Sequence, residues 1–338
     1  MGDLTPLFRL YNGKDHFYTT SESERDSAEK GGYNFEGIAC YVDSSQVDAT
    51  VPLFRLYNGK DHFYTTSESE RDSAEKGGYT SEGIACYVDS SQVEGTVALY
   101  RLYNGTDHFY TASESERDSA EKGGYTSEGI ACYAISPALE WEYIYIDIDY
   151  NTSVKPATSQ DLISSRKISN SSNNTTLVQE VSISGSRTST FEWGLTQNLT
   201  TGITMGFEAG VPFGSVSGEI SIELDLGSHQ TWTTTEDEEY LFSEEVTVPP
   251  NEAVVLEGYV DWTENLITPF TLTMNVMAKG GGVSLTGSQV DQLFLLSNPN
   301  ATVTQILSQQ ITVTLEGQFT GTYAIDTFTK LEPIPIEV

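Results

Sequence analysis

The 338-residue chain is short of positive charge. Seventeen lysines and arginines stand against 49 aspartates and glutamates, a formal net charge of −32. So negative a surface repels phosphate backbones, which argues against nucleic acid as a direct partner. It also disfavours electrostatic docking on anionic lipid, so an approach to a membrane calls for a neutral ligand there, such as a glycan. Long hydrophobic runs are missing too. No stretch reaches the roughly 18 consecutive apolar residues of a membrane-spanning helix. The first residues, MGDLTPLFRLYNG, lack a basic-then-apolar leader, and Pro6 stands where a myristoylation signal wants Ser or Thr. The chain is therefore expected to be soluble, and either cytoplasmic or released by an unconventional route. Cysteine is scarce: Cys40, Cys86 and Cys132 each sit in the same GIACY context. An odd number in identical surroundings reads as buried free thiols, not a disulfide framework. Catalytic signatures are absent as well. His229 is the one histidine of four outside a repeated motif, and there is no metal-spaced Cys/His set, phosphate loop or nucleophile elbow. No enzymatic activity, cofactor or metal is expected.

What the chain does have is Ser, Thr and Gly, with hydrophobic residues at 38%. That composition points to β-structure with many turns, and the length to two or three domains. The first part is an internal repeat. RLYNGKDHFYTTSESERDSAEKGGY begins at Arg9 and again at Arg55, and a near copy begins at Arg101, a period of 46 residues. In each unit LFRLYNG and DHFYTT predict two strands around an Asn-Gly turn. SESERDSAEKGG predicts one short helix: Ser21 precedes Glu24 by three residues, as in a capping box, and a Gly pair ends the run. EGIACYV predicts a third strand with Ile38, Cys40 and Val42 on one face. Three such units are expected to close into one body with pseudo-threefold symmetry. The acidic helix reads as a solvated face. The DHFYT motif admits two readings. The histidines can be hydrogen-bonded residues that fix the turn, or Asp15, His16 and Tyr18, with Asp61, His62, Tyr64, Asp107, His108 and Tyr110, can contact a ligand beside Arg9. A metal is disfavoured because adjacent Asp and His point to opposite faces of a strand.

LYNGKDHFYTTS and GGYNFEGIACYV resemble the HFYT-type repeat of unknown function that accompanies secreted bacterial hydrolases and other multidomain proteins. The resemblance covers about residues 4–136 and implies an accessory, carbohydrate-binding module. Its size is similar to a β-trefoil lectin, although the helix in each unit departs from one.

After Pro137 the composition shifts. WEYIYIDIDY (Trp141 to Tyr150) alternates as a long strand, and the rest is rich in Thr, Ser, Val and Ile. Thr286 to Ser297 predicts one short helix. The whole is thus expected to be mainly β: a trefoil-like repeat module over 1–137, with one short helix per repeat, and an elongated β-domain over 138–338. Within the latter, Ile203 to Leu226 predicts a hairpin. Placing Ile203 opposite Leu224 puts Met205 opposite Ile222, Phe207 opposite Ile220, and Val211 opposite Val216, around a PFGS turn that includes Phe213. One face then collects the apolar residues. The other carries Glu208 opposite Glu219, together with Glu223 and Asp225. Strands of eleven residues at a tilt near 40° span about 28 Å, close to the hydrocarbon core of a bilayer. The hairpin either covers a soluble core or contributes to a membrane barrel. A facing glutamate pair destabilises an ordinary hairpin, whereas a water-filled lumen screens it.

The segment TSTFEWGLTQNLTTGITMGFEAGVPFGSVSGEISIELDL, followed by QTWTTTEDEEYLFSEEVTVPPNEAVVLEGYVDW, looks like the aerolysin-type β-pore-forming proteins over about residues 140–335. The resemblance implies a soluble monomer that binds a cell-surface glycan or glycolipid, assembles as a homo-oligomeric ring, and inserts the hairpin into a membrane as part of a shared β-barrel. Ile203, Met205, Phe207, Val211, Phe213, Val216, Ile220, Ile222 and Leu224 would face lipid, and Glu208, Glu219, Glu223 and Asp225 the lumen. The competing expectation is a soluble, non-lytic lectin or adhesion protein. LEPIPIEV at the C-terminus is short and Pro-rich, which departs from the activation peptide of that family.

Overall fold

The computed structural model describes residues 3–47, 49–151, 158–196, 199, 204–210, 219–225, 231–263 and 266–335, with backbone only for 145–146, 204–210, 219–225 and 232. The chain divides into two compact units. One comprises Met1–Ile144, Asn275–Pro299 and Val303–Val313; the other comprises Tyr145–Met274, Asn300–Thr302 and Thr314–Val338. The repeats thus share a unit with two later segments.

The repeats contribute β1 (Leu4–Tyr11), β2 (His16–Thr19), α1 (Glu22–Lys30) and β3 (Asn34–Asp43); β4 (Thr50–Tyr57), β5 (His62–Thr65), α2 (Glu68–Lys76) and β6 (Thr80–Asp89); and β7 (Val97–Tyr103), β8 (His108–Thr111), α3 (Glu114–Lys122) and β9 (Thr126–Ala134). In the first, Asn12 Oδ1 accepts from the backbone N–H groups of Lys14 and Asp15 at 2.9 and 3.0 Å. Gly13 supplies the positive φ of 89° that the turn requires. The helix starts as its sequence suggests, with Ser21 Oγ accepting from Glu24 N. The reciprocal half of the capping box is not made: Ser21 N donates to Thr19 Oγ1, and the Glu24 carboxylate binds Arg55.

The β1–β3 ladder slips twice, between Leu7 and Phe8 and between Arg9 and Leu10. Ala39 and Glu36 are the extra residues of these bulges. The first slip corrects the expected single face of β3. Cys40 and Val42 enter the central core with Leu7 and Tyr18, whereas Ile38 turns to a small cluster of Phe8, Leu10 and Phe17 beneath the helix. The inserted residue reverses the alternation. The second slip places Glu36 beside Arg9, with 2.9 Å between Nε and Oε2.

Single bridges join the repeats: Asp43 with Tyr87, Asp89 with Tyr133, and Tyr41 with Ile135. The ring therefore closes with pseudo-threefold symmetry. Its core stacks Leu7, Leu53 and Leu99, Tyr18, Tyr64 and Tyr110, and the three cysteines, all buried as free thiols. The tyrosines form a cycle. Tyr18 Oη donates to Tyr110 O, Tyr64 Oη to Tyr18 O, and Tyr110 Oη to Tyr64 O; each hydroxyl also accepts a backbone N–H at 2.8 Å.

The remaining strands are β10 (Leu139–Tyr150), β11 (Thr158–Asn170), β12 (Leu177–Leu195), β13 (Thr204–Gly210), β14 (Glu219–Asp225), β15 (Thr231–Val248), β16 (Glu252–Thr263), β17 (Leu266–Gly280), β18 (Val283–Ser284), β19 (Thr302–Ile306), β20 (Ile311–Thr322) and β21 (Ala324–Ile334), with α4 (Gly287–Ser297) after β18. β10, β17, β20, β12 and β15 are neighbours in one sheet, β11, β16 and β21 in another, and β13 pairs with β14 alone. β12 and β15 run antiparallel without a slip from the Leu177–Val248 pair to the Gly194–Thr231 pair. Val181, Ile183, Phe242, Val246 and Val248 on these strands pack with Leu256, Val260 and Trp262 of β16; Ser, Thr and Glu occupy the exposed positions between. The turn between β15 and β16 holds Asn251 at a φ of 55°. α4 has the full capping box, Thr286 with Gln289. Within its unit it meets the repeats: Gln292 Oε1 accepts from Leu4 N at 2.6 Å, and Gln289 Nε2 donates to Glu94 O at 3.2 Å.

The tyrosine cycle gives a direct stability test. Tyr64→Phe strips one hydroxyl and leaves Tyr18 N and Tyr18 O, both buried, without that partner. The expected loss is about 2–4 kcal/mol in denaturant unfolding of the full chain. A loss within experimental error of zero would show that the cycle is not what holds these backbone groups.

Candidate functional site

The DHFYT residues are brought together, but inside the module. Asp15, His16 and Tyr18 are 2%, 7% and 1% exposed, and their counterparts in the other repeats are equally buried. Each histidine reaches back to another repeat. His16 N and Nδ1 lie 2.7 Å from the two oxygens of Asp107; His62 makes the same pair with Asp15, and His108 with Asp61. A carboxylate only accepts, so Nδ1 carries the hydrogen. The Oδ2 atoms of Asp15, Asp61 and Asp107 also accept at 2.6 Å from Tyr33, Tyr79 and Tyr125. Burial, then the hydrogen bond to the carboxylate, pushes these phenols well up. Tyr11, Tyr57 and Tyr103 stack on the imidazoles.

The side chains of Asp15, His16, Tyr18, Asp61, His62, Tyr64, Asp107, His108 and Tyr110, named in the ligand reading, are thus all buried. Their carboxylates, imidazole Nδ1 atoms and hydroxyls are hydrogen-bonded within the module. Ring closure also brings the three aspartates within 4.8 Å of one another, a grouping that the spacing inside one repeat does not reveal. Three donors already hold each carboxylate, so a cation there would have to compete with the bonds between repeats.

A second belt lies outside the first. Arg9 binds Glu116 through both terminal nitrogens at 2.9 Å, Arg55 binds Glu24 likewise, and Arg101 binds Glu70. Glu24 and Glu70 titrate below the ordinary glutamate value of 4.5, chiefly because an arginine donates to them. Burial acts most strongly on Glu116 and would raise it, but the hydrogen bonds from Arg9 and Thr111 and the charge of Arg9 together outweigh it, and the net shift is again downward.

Where the first and third repeats meet, a cleft of about 710 Å³ opens. Gln92, Tyr100, Ser113, Glu114 and Tyr133 are among its lining residues. Tyr100 Oη donates to Glu114 at 2.9 Å, and Arg117 lies 4.5 Å over its ring. These residues escaped the sequence reading. The available signal was small: Tyr100 replaces the Phe8 and Phe54 of the other repeats.

The hairpin forms, with a different register. Met205 pairs with Leu224, Phe207 with Ile222, Ala209 with Ile220, Glu208 with Ser221, Gly206 with Glu223, Thr204 with Asp225, and Gly210 with Glu219. The expected opposition of Glu208 and Glu219 is thereby overturned. A slide of two residues keeps every position on its face, because the strand period is two. It also sets each acid against Ser, Gly or Thr, which removes the like-charge pair. Ile203, Val211, Phe213 and Val216 lie outside the described residues. Among the described residues no helix is long and apolar enough to cross a membrane.

Residues 6–135 match the model of a domain of unknown function, DUF5648. No curated protein sequence matches the chain. Among solved structures the chain is similar to a non-toxic crystal protein from Bacillus thuringiensis, 17% identical over 59% of this chain and 86% of that one, with a TM-score of 0.42. It is also similar to the Mpp75Aa1.1 beta-pore-forming protein from Brevibacillus laterosporus, 18% identical over 62% and 77% with a TM-score of 0.41. A lamprey immune protein is 10% identical over 99% and 100%, with a TM-score of 0.34.

Two measurements follow from this geometry. The lowered carboxyls of Glu24, Glu70 and Glu116 stay ionised to lower pH in the folded chain than in the unfolded one. Their contribution is complete above the ordinary glutamate value and is lost as pH falls through the lowered one. Glu24→Gln should therefore cost stability at neutral pH, and the gap to the parent should close in acid; a gap that stays constant with pH assigns the loss to something other than the Arg55 clamp. For the hairpin, Glu208→Cys with Ser221→Cys should form a disulfide readily, since opposed Cα atoms lie about 4.5–5.5 Å apart. Glu208→Cys with Glu219→Cys should not. The reverse preference would restore the register expected from sequence.

Proposed function

We propose that the chain is a pore-forming protein whose repeat module, residues 1–137, recognises a neutral cell-surface glycan or glycolipid. Copies assemble as a homo-oligomeric ring and insert the 203–226 hairpin into the target membrane as part of a shared barrel. The observation that carries this reading is the sheet of β13 and β14, which pairs with no other strand among the described residues and alternates apolar with acidic or small positions. A lone hairpin leaves unpaired edges, which lipid does not tolerate, so insertion requires several chains. The described strands are seven residues each. A bilayer needs about 9–11, and the same alternation continues through Val211 and Val216 to supply the difference.

In this reading Met205, Phe207, Ile220, Ile222 and Leu224, with Ile203, Val211, Phe213 and Val216, face lipid. Glu208, Glu219, Glu223 and Asp225 face the lumen. Glycan contact falls to the exposed groups of the inter-repeat cleft, Gln92, Ser113 and Glu114 beside Tyr100, because the DHFYT side chains are enclosed.

The full chain should release dye from vesicles bearing target-cell glycolipid extract. Met205→Asp with Phe207→Asp should abolish release and leave vesicle binding intact. Binding without release by the parent would favour a non-lytic lectin. In planar bilayers the pore should favour cations, because rings of acids line it without a basic residue between Ile203 and Leu226. Glu208→Gln/Glu219→Gln/Glu223→Gln should move the reversal potential towards zero. An anion-selective parent would remove these side chains from the conducting path.

A further inference from the structure

The three interfaces of the ring are not alike. Where the first repeat meets the second, the Thr20 hydroxyl donates to the carbonyl of Ala85; where the second meets the third, that of Thr66 donates to Ala131, both at 3.5 Å. At the third interface, which closes the ring, Ala112 holds the threonine position and Ala39 the carbonyl position. With no hydroxyl at residue 112, Ala39 O loses the donor that its two equivalents have. Ala39 is a bulge residue of β3, outside the register with β1, and is 6% exposed. A carbonyl so placed gains from any donor that reaches it. Ala39 and Ala112 both line the cleft of about 710 Å³ that opens at this interface.

The rest of the wall says what kind of donor fits. Arg9 is the one basic residue of the lining, and Glu36 and Glu116 each hold it at 2.9 Å. Arg117, over the Tyr100 ring, is paired with Asp118 at 2.7 Å. Neither is left for a carboxylate or sulfate. Ser113 and Ser115 share a hydrogen bond. The remaining polar groups are chiefly acceptors: Ala39 O, the Glu114 carboxylate and the Gln92 side-chain carbonyl. Tyr100 is set among them by its bond to Glu114 and by Arg117 on one face. Ile38, Val97 and Ile130 supply apolar surface. Acceptors beside an aromatic ring and aliphatic side chains complement an uncharged ligand rich in hydroxyl donors, with an apolar C–H face.

We infer that this interface holds the single sugar site of the module. A hydroxyl of one neutral pyranose takes the place that Thr20 and Thr66 fill elsewhere and donates to Ala39 O. The C–H face of the ring lies against Tyr100, and further hydroxyls donate to Glu114. Ala112 is the residue that opens the site, because the threonine of the other repeats would occupy it. The site rests on the glycan reading of the module and narrows it to one position and an uncharged sugar.

The test is titration of the full chain, by calorimetry and ligand-observed NMR, with the methyl glycosides of galactose, glucose and mannose, and with N-acetylneuraminic acid as the anionic comparator. Saturable binding of at least one glycoside is expected, at one site per chain, and none of the acid. Ala112→Thr is the deciding variant. It installs the residue that both other interfaces already accommodate, and should weaken binding by about tenfold or more as its hydroxyl takes Ala39 O. Glu114→Ala, at an exposed position, leaves that carbonyl untouched and should also weaken binding. Three sites per chain, a preference for the acid, or an affinity unchanged in either variant overturns the proposal. Undiminished binding by Ala112→Thr leaves glycan recognition by the module standing and shows that this interface is not its place. A parent that takes up none of the glycosides overturns the site as well, and binding of the parent to vesicles bearing glycolipid extract then decides separately whether the module recognises glycans.

Discussion

Closure of the ring rests on one repeated transaction: a basic or imidazole donor of each repeat binds an acid of another. His62 and Arg55 take Asp15 and Glu24, His108 and Arg101 take Asp61 and Glu70, and His16 and Arg9 take Asp107 and Glu116. The three statements form a cycle, so no repeat has its donors satisfied until all three are present. Each partner alone would be a costly buried polar group. Together they make the body cooperative, and the apolar core of leucines, tyrosines and cysteines fills the space that the cycle encloses.

The most conspicuous residues of the repeat, Asp, His and Tyr of DHFYT, are the ones the cycle consumes. Threefold symmetry is broken in the lining of the clefts. Tyr100 stands in the place of a phenylalanine at the cleft between the first and third repeats. Ile135 stands where the other two repeats place Asp43 and Asp89. Gly95, at a φ of 83°, lets the Gln289 side chain approach a backbone that a Cβ would obstruct.

The hairpin illustrates a separate constraint. Side-chain alternation specifies which face a residue occupies, but every slide by two residues preserves that assignment. Polar matching then discriminates among the permitted slides. In the observed pairing Glu208 lies opposite Ser221, and Glu219 opposite Gly210, so repulsion across the ladder is avoided. The facing glutamates that make a soluble hairpin look unfavourable do not occur, and the case for a pore rests instead on the strand pair's isolation and on its alternating pattern.

Local signals were legible in the sequence wherever the interaction was local. The Asn12-Gly13 turn, the Ser21 cap, the short helix within Thr286 to Ser297 and the alternation of β10 each depend on residues within one element or its immediate neighbours. The 46-residue period implied a closed threefold body, because single units cannot bury a core. Tertiary structure decided the rest. The bulges at Ala39 and Glu36 turn Ile38 away from Cys40 and bring Glu36 to Arg9, and this depends on the partner strand. The Asp–His pairs join residues of different repeats, so periodicity names the participants without saying which copy each one meets. The hairpin register is a choice among slides of equal polarity. Sequence by itself determined which residues are apolar, which turn and which recur; only the folded chain determined which of them meet, because contacts between distant segments are set by closure and pairing rather than by order along the chain.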